Sequence, residues 1–310
     1  MENMLPGDFE KFITDNDYYT ESEKIADSYI KLLSLHLEKF LDQANKKLND
    51  NYEIIISLDA FDTYILRNSK CEIRRFQEIS ERMIVILSNF FQKNISTYEI
   101  FLARQIAHKM SYRMYPSPNY VREPNLLFIY RNMLKILDFY KAKNFVTGQI
   151  ITEMKNIEIE YEIENTYPNV LLDKTIRKLQ EKFCYKVIIL SDMYLTSDII
   201  KKILDANYKN LPPLYEDIIS SADINLSKSS GLSFEYIKRK YQEISNKDKL
   251  LFVHVGDNYH SDVKSSKKRG LYSLYHPISR DEKNRRKQDE KLFAQECLVQ
   301  GINFDLKFML

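Results

Sequence analysis

The sequence predicts an α/β protein: a doubly wound parallel sheet with an all-helical insertion after its first strand and helical extensions at both ends. Three observations lead there. Short apolar runs without polar alternation, at residues 54–58, 186–190 and 250–255, suit strands buried on both faces. From residue 183 onward such runs alternate with helical periodicity, the pattern of βαβ units. Between 72 and 180, in contrast, almost nothing reads as strand. The expected division is 1–50 for an N-terminal helical extension, 51–70 and 183–278 for the α/β core, 71–182 for a helical cap and 279–310 for a C-terminal helical tail.

In chain order, residues 1–20 are polar and aromatic without a period. Ile25, Tyr29, Leu33, Leu37 and Leu41 then recur at helical spacing within 21–49. The stretch EIIISLDAFDTYILR at 53–67 reads as the opening strand, delivering Asp59 to a sheet edge. Helical periodicity follows over 72–92, 97–114, 125–142, 148–165 and 170–182, broken near residues 94–96, at Pro116 and Pro118, at Gly148 and at Pro168. Further strands are expected at 186–190, 217–220, 250–255 and 271–275, with helices over 197–206, 233–244 and 263–269. The tail from Arg280 is charged, and the acidic neighbours of Arg285, Arg286 and Lys287 favour a solvated helix over an anion-binding patch.

Composition narrows the function classes. The 310 residues are 44% hydrophobic, enough for a substantial core, and 6 Gly with 8 Pro argue against a barrel or a flexible linker architecture. A net charge of +2, from 46 basic and 44 acidic residues, supplies no overall field to recruit nucleic acid or anionic membrane, and neither is expected as a partner. Cys71, Cys184 and Cys297 are odd in number and lack CxxC spacing, so reduced thiols in a cytoplasmic setting are expected. No apolar run has membrane-spanning length and the N-terminus lacks a signal pattern.

Chemistry gathers at the strand ends, where side chains escape the core of an open α/β sheet. A lone Asp after a strand is as readily a turn former or a helix cap. Here Asp59 is followed, in order, by Ser191 at the next core strand, Lys228 in the SKSSG loop and the acids of GDNYHSD, Asp257 and Asp262. The stretches DAFDT, VIILS, SKSSG and GDNYHSD together resemble the motifs of the haloacid dehalogenase superfamily, over roughly residues 53–276. The forms DxFDT, SDMYL and GDNxxSD look most like a bacterial group of predicted hydrolases, some of them joined to glycosyltransferases.

The resemblance implies a Rossmann-like core with a helical cap between the first two motifs, and a Mg²⁺-dependent phosphohydrolase acting on a small phosphorylated metabolite such as a sugar phosphate or a nucleotide-sugar intermediate. Carried over residue by residue, Asp59 would be the phosphoryl-accepting nucleophile. Asp59, Asp257 and the backbone carbonyl of Phe61 would hold Mg²⁺. Lys228 and Ser191 would meet the phosphoryl oxygens, and Asp262 would hold Lys228 or a metal-bound water. The physical chemistry agrees, because phosphoryl transfer needs an in-line nucleophile and charge neutralisation and little else. Receiver domains also combine an Asp, a hydroxyl, a Lys and Mg²⁺, but their acid pair precedes the phosphorylated Asp.

Phe61 departs from the pattern, because phosphatases of this superfamily usually place a second Asp there as proton donor. Three consequences stay open: Asp62 or a cap residue supplies the proton, the substrate has a good leaving group, or turnover is slow or absent. A weakly active or non-catalytic phosphate-binding domain that uses its terminal helices for a partner is therefore the alternative. Dehalogenation, with an aromatic at this place and no metal, fits poorly with the retained Asp257 and Asp262. Specificity is expected from the cap, with Arg67 and Arg104 as candidates for an anion or sugar, and the cap tyrosines, among them Tyr112 and Tyr130, as packing residues or stacking platforms. Thr63, Asp192, Asn258 and His260, which adjoin the motifs, complete the candidates for substrate contact.

Overall fold

A computed structural model describes residues 7–19, 22–47, 52–117, 120–137, 147–247 and 249–299 of the chain. Five strands, β1 (Tyr52–Leu58), β4 (Lys186–Ser191), β5 (Asp217–Ser220), β6 (Lys249–Gly256) and β7 (Tyr272–Tyr275), form one parallel sheet in the order β5-β4-β1-β6-β7. A separate antiparallel ribbon pairs β2 (Ile65–Arg67) with β3 (Thr166–Pro168).

The unbroken apolar runs follow from burial on both faces. On β1, Ile54, Ile56 and Leu58 face one layer with Val187, Ile189, Val253 and Val255. Ile55 faces the other with Ile188, Leu190, Phe252 and the helix Leu232–Ile244, through Phe234 and Ile237. Because successive side chains alternate across a strand, both sets must be apolar. The exceptions, Ser57 on β1 and His254 on β6, are opposite each other in the register and both fully buried. The chain leaves β1 toward β4 and β5, then returns to β6 and β7 on the other side. The carboxyl ends of β1, β4 and β6 therefore flank a topological switch point, where ligands of such sheets bind.

The N-terminal helix Glu23–Lys47 lies on the first face, its buried stripe of Tyr29, Leu33, Leu37 and Leu41 spaced four residues apart. It packs against the helix Val170–Gln180, through a layer that includes Leu172, Ile176 and Leu179. That second helix, grouped with the cap by sequence, packs here on the N-terminal helix and follows the ribbon strand β3. The Tyr29 hydroxyl meets His276 Nε2 at 2.6 Å, and Phe40 stacks on Tyr272 with ring centres 4.0 Å apart, which ties the extension to β7. A short helix, Asp8–Asp15, precedes it where no period was visible, burying only Phe9 and Ile13.

The insertion is helical as expected, between the two strands of the β2–β3 ribbon. The expected helix over 72–92 breaks at Met83 into Glu72–Arg82 and Ile84–Phe91. Thr97–Met114 starts at a capping box in which Ser96 and Glu99 satisfy each other's backbone amides. Leu126–Leu137 and Thr147–Glu164 complete it, and residues 138–142 of the helix expected over 125–142 lie outside the described ones. Among the described residues no helix is long and apolar enough to cross a membrane, and Cys71, Cys184 and Cys297 are free thiols.

Leu37→Ala tests how far the core depends on the N-terminal helix. A fully buried leucine at that contact should cost about 2–5 kcal/mol on truncation, because the layer closes only partly over the cavity left behind. A urea unfolding curve would show this as a lowered midpoint at unchanged slope.

Candidate active site

Asp59 is the first residue past β1, and its amide donates to the Val255 carbonyl (2.8 Å), which extends the sheet pairing by one residue and fixes the carboxylate at the mouth. The chain then turns tightly. Ile65 N reaches back to the Ala60 carbonyl (2.7 Å) and Asp62 N to the Ile65 carbonyl (2.6 Å), with Asp62 at φ 61°. Asp tolerates this left-handed conformation better than most side chains, which suits it to the turn.

Lys228 arrives from the loop after β5, and its buried ammonium donates to Asp59 Oδ1 at 2.5 Å and to Asp262 Oδ1 at 2.7 Å. Its own backbone amide donates to Asp192 Oδ2 at 2.6 Å. Asp262 projects from a π-helical turn, Tyr259–Ser265, of the kind often found at functional sites. Its second oxygen accepts from Asn258 N at 2.9 Å. A Cβ on residue 256 would lie 2.3 Å from that oxygen, so the glycine closing β6 is required by close approach.

Behind Asp262 stands a buried polar chain. His254 Nε2 is 3.2 Å from Asp262 Oδ1, and His254 Nδ1 is 2.6 Å from the Ser57 hydroxyl. Burial holds the imidazole below its ordinary pKa, despite the carboxylate. The neutral ring must then carry its hydrogen on Nε2, since a carboxylate only accepts, and Nδ1 accepts from Ser57. This accounts for the polar pair in the sheet, which sequence could place but not explain.

Burial raises the Asp59 carboxyl to about 7, against the pull of Lys228 and helped by Asp262. Burial likewise raises Asp257 well above the usual carboxylate range, with Asp59 and Asp62 as the next contributors. Asp192 rises to about 6 for the same first reason. Asp262 moves the other way: burial works against its charge, but Lys228 and His254 together outweigh that cost. Lys228 itself is raised by Asp262 and Asp59 despite burial. One ammonium thus serves several carboxylates, and the site lacks positive charge.

Oxygens of Asp59, Asp257 and Asp262 lie within 4.8 Å of one another, a set able to hold a metal ion. The donors fit a hard divalent cation, which takes oxygen ligands and few protein carboxylates. Both oxygens of Asp262 are already occupied, by Lys228 and His254 on one side and Asn258 N on the other. Asp59 and Asp257 are therefore the better placed for direct ligation, with Asp262 behind them.

Phe61 and Asp62 face the cap side. The Arg67 guanidinium lies over the Phe61 ring, 3.9 Å from its centre, and 3.7 Å from Asp62 and 3.5 Å from Glu162. The aromatic thus shelves an arginine. The main partner of Asp62 comes from the C-terminal helix Arg280–Val299: Arg286 grips both its oxygens, at 2.7 and 3.1 Å, and Glu282 as well. Burial works against the Asp62 charge, but Arg286 overrides it and holds the carboxyl down at about 2. Asp62 therefore stays ionised, which does not suit the proton donor that sequence left open. The expectation of a solvated tail helix holds along most of its length but not at Arg286, which is turned inward; Arg285 is paired with Asp17 and Glu282, so only Lys287 of that cluster is without such a partner among the described residues.

A cavity of about 410 Å³ opens over these groups. Its floor includes Asp59, Ser191, Asp192, Lys228 and Asp257, and its cap wall includes Arg67, Arg75, Phe76, His108, Tyr112 and Glu162. Asn258 lines it while its side chain caps the π-helical turn, accepting from His260 N and Ser261 N. Other expected substrate contacts fall outside. Arg104 is 1% exposed, paired with Glu158 at 3.2 Å amid Phe76, Tyr130 and Tyr194, so its charge is satisfied inside the cap. Tyr130 is likewise inside, donating to Glu158. Thr63 is fully buried and His260 is an exposed residue off the lining. Arg75, His108 and Glu162 were not singled out, because a polar residue on an amphipathic helix gives no sign of facing a cavity or solvent; Tyr194, in the loop after β4, also lines the cavity and was not singled out.

No protein-family model matches the sequence, and no curated protein matches it significantly. Solved structures do. A 2-haloacid dehalogenase from Pseudomonas syringae is 11% identical, with 72% of this chain and 86% of that one covered at a TM-score of 0.51. A putative hydrolase of the haloacid dehalogenase type from Bacillus subtilis is 15% identical over 74% and 94% of the two chains, at TM-score 0.41. An enzyme of that family from Bacteroides thetaiotaomicron is 15% identical over 73% and 94%, also at 0.41. The likeness at 0.51, with the parallel sheet and its helical insertion, gives this chain the haloacid dehalogenase fold.

Arg286→Met should leave Asp62 without its main counter-charge. A carboxyl held down to about 2 contributes stability above its unfolded value near 3.8 and loses it as pH falls toward 2. The variant should therefore be less stable by on the order of 2 kcal/mol at pH 7. That difference should shrink below pH 4, which paired urea titrations at pH 7 and pH 3 would measure.

Proposed function

We propose that this chain, which has the haloacid dehalogenase fold, is a phosphohydrolase that works through an aspartyl-phosphate on Asp59, with Mg²⁺ as its ion. The observation that carries the reading is the Asp59–Lys228–Asp262 chain beside Asp257, near the carboxyl ends of β1 and β6 under a cavity. Asp59 Oδ1 is held by Lys228, which leaves Oδ2 to attack phosphorus; an O–P bond to Asp59 forms as the bond to the leaving oxygen breaks. Lys228 and the Ser191 side meet charge on the transferring oxygens. Water then cleaves the acyl phosphate, releasing inorganic phosphate and restoring the carboxylate. Asp59 and Asp257 would hold the ion, which supplies charge neutralisation between carboxylate and phosphate when bound.

With Phe61 under Arg67 and Asp62 kept ionised by Arg286, neither residue 61 nor residue 62 is arranged to protonate the leaving oxygen. This favours small substrates whose leaving group is already acidic, such as acyl or aryl phosphates. The same observation supports the second reading, a phosphate-binding domain of low turnover, since loss of a general acid costs roughly 10²–10⁴-fold in rate.

A screen over aryl, acyl, sugar and other alkyl phosphates with and without Mg²⁺ separates the two. The phosphohydrolase should turn over aryl and acyl phosphates at least ~10²-fold faster than alkyl esters, the range one general acid is worth. Activity should vanish without divalent ion and in Asp59→Asn. Turnover that survives Asp59→Asn, or none on any substrate while phosphate still binds, would remove the enzyme reading.

A further inference from the structure

The cations around the cavity are not equally committed. Lys228 is bound to Asp59 and Asp262, and Arg67 lies between Asp62 and Glu162. Arg286 is taken by Asp62 and Glu282. Arg75, on the cap helix Glu72–Arg82, lines the same cavity and makes no ion pair or side-chain hydrogen bond among the described residues. Its Nε is buried without a partner. A buried guanidinium nitrogen left unpaired is costly, and native structures keep such groups mainly where a ligand or water completes them. Glu72 lines the cavity one turn earlier and does not pair with it.

A second donor stands beside it on the neighbouring helix. His108 Nδ1 lies 3.3 Å from the Arg104 guanidinium. A guanidinium only donates, so Nδ1 accepts and the hydrogen of the ring is on Nε2. Burial, then Arg104, holds His108 down at about 3, so this lining residue is a neutral donor at working pH.

We propose that Arg75, assisted by His108, binds a second anionic group of the substrate, so that the cavity selects small phosphorylated compounds carrying a carboxylate or a second phosphate at the end away from Asp59. The inference rests on the reading that the reacting phosphoryl group sits against Asp59 and Lys228. A guanidinium forms paired, charge-assisted bonds to either anion, and the 410 Å³ volume limits the ligand to a small metabolite. A simple alkyl chain offers Arg75 no acceptor, and the hydroxyls of a neutral sugar offer it no counter-charge.

Non-hydrolysable probes test this without requiring turnover. Calorimetric affinities of the Mg²⁺-loaded protein are compared for ω-phosphonocarboxylates of two to four carbons, α,ω-alkylbisphosphonates and alkylphosphonates of matched length. At one length a dianionic-ended probe should bind ~10- to ~100-fold more tightly than its alkyl match, the worth of a charge-assisted bond. Which of the first two series wins distinguishes carboxylate from phosphate. Arg75→Gln should collapse that ratio to near one, Arg75→Lys should restore part of it, and His108→Phe should reduce it. A ratio near one at every length in the unaltered protein, or one that survives Arg75→Gln, overturns the proposal. Loss of aryl phosphate turnover in Asp59→Asn alongside either of those results would leave the phosphohydrolase standing and remove only the second anion site. An Arg75-dependent ratio with no turnover would do the reverse.

Discussion

A single buried ammonium organises the carboxyl ends of this sheet. Lys228 is 2% exposed and lies within 2.7 Å of two carboxylates, with a third, Asp192, held on its backbone amide. Burying a charge is tolerable only when it is paired and hydrogen-bonded, and here each neighbour of Lys228 is fixed from behind. Asp59 is anchored by the Val255 carbonyl, and Asp262 by Asn258 and His254. Gly256 and the π-helical turn let Asp262 approach, Asp262 fixes the tautomer of His254, and Ser57 satisfies the ring nitrogen left over. What remains unbalanced is the pair Asp59 and Asp257, both pushed upward first by burial. An added cation would offset that deficit, so the charge deficit and the proposed metal dependence rest on the same residues.

The second constraint acts on the residues just past Asp59. An aromatic at position 61 and a carboxylate at 62 look like a shifted copy of a familiar arrangement, but the two have become structural partners of arginines. Phe61 supports Arg67, and Asp62 is clamped by Arg286 from a helix more than two hundred residues away in sequence. Holding a carboxylate ionised requires the reverse of the environment that makes a general acid, where burial without a counter-charge raises the pKa. The C-terminal helix therefore enters the chemistry by removing an acid from it.

Most of the fold was legible because its signals are local. The strand runs are apolar on both faces, the insertion has helical period throughout, and Ser96 with Glu99 announces a cap. The motif residues Asp59, Ser191 and Asp257 were legible because each ends a strand or begins the loop after one, Lys228 lies in the loop before the helix Leu232–Ile244, and all four line the cavity. Failures came where position depends on tertiary contact. Arg104 and Arg75 are both arginines on cap helices, yet one is sealed against Glu158 and the other faces the cavity. The Arg285–Arg286 pair sits among acids in sequence, and only packing reveals that Asp62 outcompetes water for one of them. The three-residue strands β2 and β3 are too short to show a period, and they pair across about a hundred residues.

That ribbon also bears on how the cavity is reached. The insertion leaves and re-enters the core through β2 and β3, which alone would permit a hinge. Other contacts oppose one. Arg74 on the first cap helix pairs with Asp289 and Glu296 of the C-terminal helix, whose Arg286 holds the core at Asp62. On the opposite side Leu126 N donates to the Tyr194 carbonyl, and Glu123 meets Asn225 and Ser221 of the core. Much of this bracing is polar and near the surface, individually weak, but it acts on the helical insertion from two sides. A cap tied at both flanks holds Arg67 and Arg75 over the same cavity as Asp59, and under the proposed reading the span between them would set the length of ligand that fits. The helix that braces one flank through Asp289 and Glu296 is also the one that grips Asp62 through Arg286.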